Sequence, residues 1–195
     1  VAYVGDYSRF GFTSPTLGMR YRFEVEPTFG TFRYYSVIAD YRKYYFFNPL
    51  TLAFRLMHYG RYGKDAEDNR LSPYLLGYET WIRGYALGSI DLAECTNTSD
   101  PDACPELDRL FGSRVGIFNA ELRFPLFGIE QYGLIPFRYL PTELSLFFDG
   151  GVAWTKSNRP ELTWKRESGK RIPVFSTGLS ARFNLFGYAV LQVYY

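Results

Sequence analysis

The sequence predicts an all-β fold, an antiparallel β-barrel, on three observations. Apolar and polar side chains alternate with period two along segment after segment. Aromatic residues make up 20% of the chain, with 18 Tyr, 18 Phe and 3 Trp, and they gather near the ends of those segments. Runs of helical period with comparable strength are absent, and no apolar run reaches the ~20 residues that cross a membrane as a helix. A chain that is 47% hydrophobic and only 22% charged is not kept unfolded by its charge. Its formal net charge of +2 lacks the electrostatic footprint of a nucleic-acid binder, so no nucleic-acid partner is expected.

The elements follow in order. From Leu17 the odd positions read Leu17, Met19, Tyr21, Phe23 and Val25, against Arg20, Arg22, Glu24 and Glu26. Phe118, Ala120, Leu122 and Phe124 alternate with Asn119, Glu121 and Arg123, and Leu144, Leu146 and Phe148 with Glu143, Ser145 and Asp149. Phe175, Leu179, Ala181 and Phe183 alternate with Ser180, Arg182 and Asn184, and Ala189, Leu191, Val193 and Tyr195 flank Gln192. With segments near 1–13, 31–42 and 50–62, this makes about eight strands. Most span about 9 to 13 residues, longer than the usual globular strand and close to a tilted membrane-crossing one. The connections at 14–16 and 185–187 are tight and 43–49 is modest, whereas 63–113 and 155–173 are long and polar. Short turns at one end and long loops at the other suit an outer-membrane barrel, although 28–30 is short and 126–141 is long where that rule asks for the reverse.

Periodicity does not separate a membrane barrel from a soluble eight-stranded one, whose apolar face points inward. The aromatic clusters at Tyr34, Tyr35, Tyr44, Tyr45, Phe46, Phe47, Tyr188, Tyr194 and Tyr195 favour the membrane, where two interfacial girdles need them. The start, Val1 to Asp6, has no Met, basic residue or apolar signal core, as in a chain that begins after processing or within something larger. Cys95 and Cys104 lie in a polar stretch and fit one surface disulfide in an oxidising compartment, the alternative being two free thiols. A zinc site lacks ligands, since His58 is the only histidine.

No enzyme site and no cofactor are expected. His58 has no Ser or Cys arrangement around it and reads as a packed or solvated wall residue. Phosphate-cradling glycine loops are absent. Asp40, Arg42 and Lys43, like Glu121 and Arg123, read as charges of a polar barrel interior.

Within 63–113, the run Ile82-Arg83-Gly84-Tyr85, preceded by Leu75-Leu76-Gly77, resembles the Arg-Gly-aromatic motif in the long sixth loop of the BamA/TamA, or bacterial surface antigen, family. The strand after it, carrying Asn119 to Pro125, is similar to the family's next strand. Phe147-Phe148-Asp149-Gly150-Gly151-Val152-Ala153-Trp154 resembles its Phe-x-Asp strand ending in Gly-x-x-Trp. Gly178 to Arg182 and Gly187 to Leu191 fit the following two strands, so the resemblance covers most of 71–195 and, more loosely, 1–62.

The resemblance implies an antiparallel transmembrane barrel in the bacterial outer membrane, with 63–113 an outer loop folded into the lumen and Arg83 paired with Asp149. The pairing is physically sensible, because an enclosed guanidinium needs a carboxylate and can be gripped by two oxygens. It also implies a sixteen-stranded barrel, of which about half is present, with both ends of this chain on the outer side and further strands next to both edges. Met19, Phe23, Phe118, Leu122, Leu146, Phe183, Leu191 and Val193 would then meet lipid. Arg22, Glu24, Glu121, Arg123, Asp149, Arg182 and Gln192 would face the lumen. The implied function is non-enzymatic: assembly and insertion of outer-membrane proteins, or translocation, with client proteins or a protein complex as partners. A barrel anchoring an attached soluble domain and a passive pore are the alternatives.

Overall fold

The computed structural model describes residues 1–86, 88–89, 95, 104–129, 133–161 and 171–195, and the statements that follow concern these residues. Parts of the loops read as 63–113, 126–141 and 155–173 therefore lie outside the described residues. In chain order the elements are β1 (Ala2–Asp6), β2 (Arg9–Phe10), β3 (Pro15–Thr28), β4 (Tyr34–Phe47), β5 (Leu50–Gly63), β6 (Tyr74–Leu75), a four-residue helix α1 (Pro105–Asp108), β7 (Phe111–Gly112), β8 (Arg114–Gly128), β9 (Ile135–Pro136), β10 (Thr142–Trp154), β11 (Val174–Leu185) and β12 (Ala189–Tyr194).

Eight of these strands form one meander in the order β1-β3-β4-β5-β8-β10-β11-β12, every neighbour antiparallel. β2 extends the first hairpin beside β3, and β9 lies parallel to the end of β8. The sheet is open: β1 pairs with β3 alone and β12 with β11 alone. β5 and β8 are neighbours although the long loop separates them, from Thr51 opposite Arg123 to Gly60 opposite Arg114. The loop thus leaves and re-enters the sheet between adjacent strands at one end, here called the rim. The other end, with the connections 11–14, 48–49 and 186–188, is the base.

Two turns differ from the sequence reading, one in length and one in position. β4 runs to Phe47 and β5 starts at Leu50, so the modest connection 43–49 shrinks to Asn48-Pro49. The first turn falls at 11–14, and Pro15 already belongs to β3. Proline is admissible there because it opens the strand.

Alternation sorts the side chains into two faces. On β8 and β10 the odd positions are enclosed, including Val115, Ile117, Glu121, Arg123, Glu143, Ser145, Phe147, Asp149 and Ala153. The even positions point outward, where Leu144, Leu146 and Phe148 are exposed, as are Phe23, Leu191 and Val193 on other strands. Met19, Phe118, Leu122 and Phe183 lie on the same outer face by register: Met19 opposes Lys43, Phe118 opposes Gly150, Leu122 opposes Leu146 and Phe183 opposes Leu191. A sheet that hides carboxylates and arginines while presenting leucine and phenylalanine outward has the polarity of a membrane barrel. Arg22 and Glu24 share the inner face and pair with each other at 2.5 Å, although Arg22 stays open to solvent beside the free edge.

Several residues depart from the sequence reading: of the aromatic clusters, Phe46 lines an inner cavity and Tyr194 packs edge-on against the inward Phe147, and Tyr44 and Lys43 also change face. Tyr44 is no girdle residue; it is 5% exposed, points inward and lies under the guanidinium of Arg123. Lys43 points outward over the ring of Tyr45, and only Asp40 and Arg42 face inside. Both follow from period two, which sends consecutive residues to opposite faces.

Candidate functional site

The inner wall of β8 and β10 supplies a polar row whose spacing follows from register. Asp149 stands between Asn119 on one side and Ser176 on the other, and Phe147 opposes Glu121. The loop descends from the rim onto this row. β6 and β7 pair to close its neck, and Leu75, Leu76, Ile82 and Leu110 pack against Val115, Ile117 and Ala153 in a small apolar core inside the sheet. Gly151 makes room for Ile82: a Cβ there would meet the Ile82 side chain at 2.5 Å. A glycine on the wall is thus the socket for the residue preceding the arginine.

Arg83 is held on every side. Its Nε and Nη2 donate to Asp149 Oδ2 and Oδ1, both at 2.7 Å, its backbone N–H donates to Oδ2 at 3.2 Å, and Nη1 donates to Glu121 Oε1 at 2.8 Å. The guanidinium also lies 3.7 Å from the ring centre of Phe147. Asp149 is fully buried and accepts a further bond from Asn119, whose amide also donates to the carbonyl of Trp81 in the loop. Burial works against the charge on Arg83, but the hydrogen bonds to Asp149 and the nearby Glu121 outweigh it and hold the guanidinium above its ordinary range. Gly84 follows at φ +86, a left-handed conformation that glycine adopts without a steric penalty. Tyr85 then donates its hydroxyl to the carbonyl of Phe175 on β11.

From Glu121 the network runs on toward the base. Its carboxylate also accepts from Arg123 Nε at 2.8 Å and from Arg182 Nη2 at 2.8 and 2.9 Å. Arg182 continues to Glu143 at 2.9 Å and to Gln192 at 3.1 Å. Ser14, in the first turn, donates to both oxygens of Glu143. Sequence reasoning singled out Arg83, Asp149, Glu121 and Arg123, but neither Glu143 nor Ser14 as part of a site. Alternation did put Glu143 on the polar side of its strand, whereas nothing local marks Ser14.

Cys95 and Cys104 are joined in a disulfide, which leads directly into α1. His58 lies on the outer face, between the carbonyl of Val115 at 2.9 Å and the Tyr62 hydroxyl at 2.7 Å, and stacks on Trp154. The carbonyl can only accept, so Nδ1 carries the proton and Nε2 accepts from Tyr62.

The deciding comparison is with protein families: the Omp85 superfamily domain matches residues 11–186. The chain belongs to the Omp85 superfamily. Its members are outer-membrane proteins of insertion and translocation, and they are non-enzymatic. No curated protein matches this sequence. The matched span runs from the first turn to the turn between β11 and β12, so both the loop and the wall on which it docks lie within the Omp85 domain.

The loop neck gives this Omp85 chain a sharp local test. A Cβ at Gly77 would sit 1.7 Å from the carbonyl oxygen of Tyr85, an atom that moves only with the backbone of the motif itself. Gly77→Ala is expected to destabilise the docked loop by about 1–3 kcal/mol. Limited proteolysis should then cut within 78–89 under conditions that leave the native loop intact. An unchanged cleavage pattern would refute the packing described.

Proposed function

We propose that this chain forms the wall and the lumen loop of an outer-membrane barrel that inserts or translocates other outer-membrane proteins. The observation that carries the reading is the docking of the Arg83 motif on Asp149 and Glu121 inside the sheet. A buried charge pair of this kind contributes little net stability compared with apolar packing, so its worth lies in fixing where the loop sits. A loop held in one place shapes the lumen and keeps it occupied. Neither a simple anchor nor a passive pore needs such a plug.

The open edges fit the same reading. β1 and β12 each present a row of backbone groups that lipid does not satisfy, at a cost of several kcal/mol per group. Further strands, from more chain, from a partner or from a client, would cover them by main-chain pairing. The client class is an unfolded outer-membrane β-protein, whose strands carry the same unmet need.

The test is reconstitution of the full protein in liposomes. Folding of an added outer-membrane barrel, followed by protease protection, is expected to run faster than in empty liposomes and to lose that gain with Arg83→Ala. If correctly folded wild-type protein gives no acceleration, the insertion reading fails.

A further inference from the structure

We propose that the turn 11–14 is a gate that closes the base of the lumen, with Ser14 as its latch. β3 sits at one side of the sheet, and its sequence neighbours are far from β10 and β11 along the strand order. Yet the curl of the sheet carries this turn across the base to both of them. Ser14 is 5% exposed and donates to Glu143 at 2.8 and 3.0 Å. Arg123 Nη1 donates to Ser14 Oγ at 3.0 Å and to the Pro15 carbonyl at 2.9 Å, and Asn184 on β11 donates to the carbonyl of Phe12. Three strands other than its own therefore hold one short turn.

Two cavities flank the network that Ser14 joins, and the turn itself lines the lower one. Above the network, toward the loop, is a polar space of about 500 Å³ lined by Arg42, Ala53, Arg123 and Arg182. Below it is a space of about 440 Å³ lined by Phe12, Phe46 and Phe127. Glu143 lines the lower space while its partners Arg123 and Arg182 line the upper one, so the ion pairs that Ser14 joins lie between the two spaces. Within the turn the Gly11 N–H donates to the Ser14 carbonyl at 2.8 Å, and just outside it Phe10 pairs with Pro15 and the Thr16 hydroxyl donates to the carbonyl of Arg9, so the turn is the tip of one hairpin. Losing the latch would remove the Ser14 bonds to Glu143 and Arg123 and leave the turn held across the lumen only through the Phe12 and Pro15 carbonyls, which loosens the base between the two cavities. In the outer membrane the base faces the periplasm, which places the gate on the periplasmic side of the lumen; that orientation rests on the membrane reading above.

The experiment uses the full protein in lipid bilayers with Ala53→Cys as a reporter in the upper cavity, the native disulfide left oxidised. A membrane-impermeant maleimide is applied from the base side. Ser14→Ala is expected to speed labelling roughly tenfold, since a hydrogen bond to a charged group is worth more than one decade in population. Ser14→Asp, which sets a second carboxylate against Glu143, should speed it further, and Ser14→Thr should restore the wild-type rate. A slow rate shared by wild type, Ser14→Ala and Ser14→Asp overturns the gate, as does a fast rate in all of them. The labelling result does not depend on insertion activity, so loss of one proposal leaves the other standing.

Discussion

Arg83→Ala is expected to destabilise the protein by about 3–5 kcal/mol, the range for breaking a buried pair by removing one partner. The size follows from what remains. Asp149, fully buried, would keep only the amide of Asn119 as a hydrogen-bond donor of those that now hold its side chain besides the Arg83 backbone, and Glu121 would lose one of three guanidinium partners. Arg83→Lys should recover part of the loss at most, because a single ammonium does not reproduce the two parallel bonds to Asp149 together with the third to Glu121. The informative variant is the double replacement Arg83→Ala with Asp149→Ala, which removes the orphaned carboxylate as well. It should be less destabilised than Arg83→Ala with a wild-type Asp149. The temperature at which the folded, fast-migrating band disappears on a gel is read for wild type, Arg83→Ala, Asp149→Ala and the double variant; a double variant whose loss is the sum of the two single losses would show that the pair does not act as a unit.

Much of this architecture was legible because a barrel wall repeats one rule. Leu122 and Leu146 oppose each other on the outer face, Glu121 and Asp149 lie one residue and three residues away on the inner face, and the period-two pattern separates them without reference to anything distant. The loop was legible for a different reason: Ile82-Arg83-Gly84-Tyr85 resembles a family motif, and Asp149 sits in a strand of the same resemblance. What stayed hidden depends on curvature. Tyr44 looks like a member of an aromatic cluster, yet its place beneath Arg123 is set by inward position and by how far the sheet bends. Ser14 is a turn residue among Thr, Ser and Pro, and its contact with Glu143, 129 residues later, exists because the base of the sheet curls until the first hairpin reaches β10. Local pattern gives the face of a residue but not which strand lies across the lumen from it.

Glu121 is the second position where a large effect is expected, since its one carboxylate serves Arg83, Arg123 and Arg182. In the wild type these three arginines face Glu121, Glu143 and Asp149, and the charges of this cluster balance three against three. Glu121→Ala leaves three buried cations with two carboxylates, and the expected cost is again about 3–5 kcal/mol. Glu121→Gln tests charge separately from shape. It keeps one oxygen acceptor but turns an amide donor toward guanidinium groups that only donate, so it should be nearly as damaging as alanine. Adding Arg182→Gln restores the balance of charge and supplies an amide oxygen beside Arg123, and this double variant should melt higher than Glu121→Gln with Arg182 retained. Urea denaturation in lipid vesicles gives the comparison directly. If Arg182→Gln instead adds its own full cost on top of Glu121→Gln, the arginines answer to separate partners. The loop and the base would then be independent rather than joined through one carboxylate.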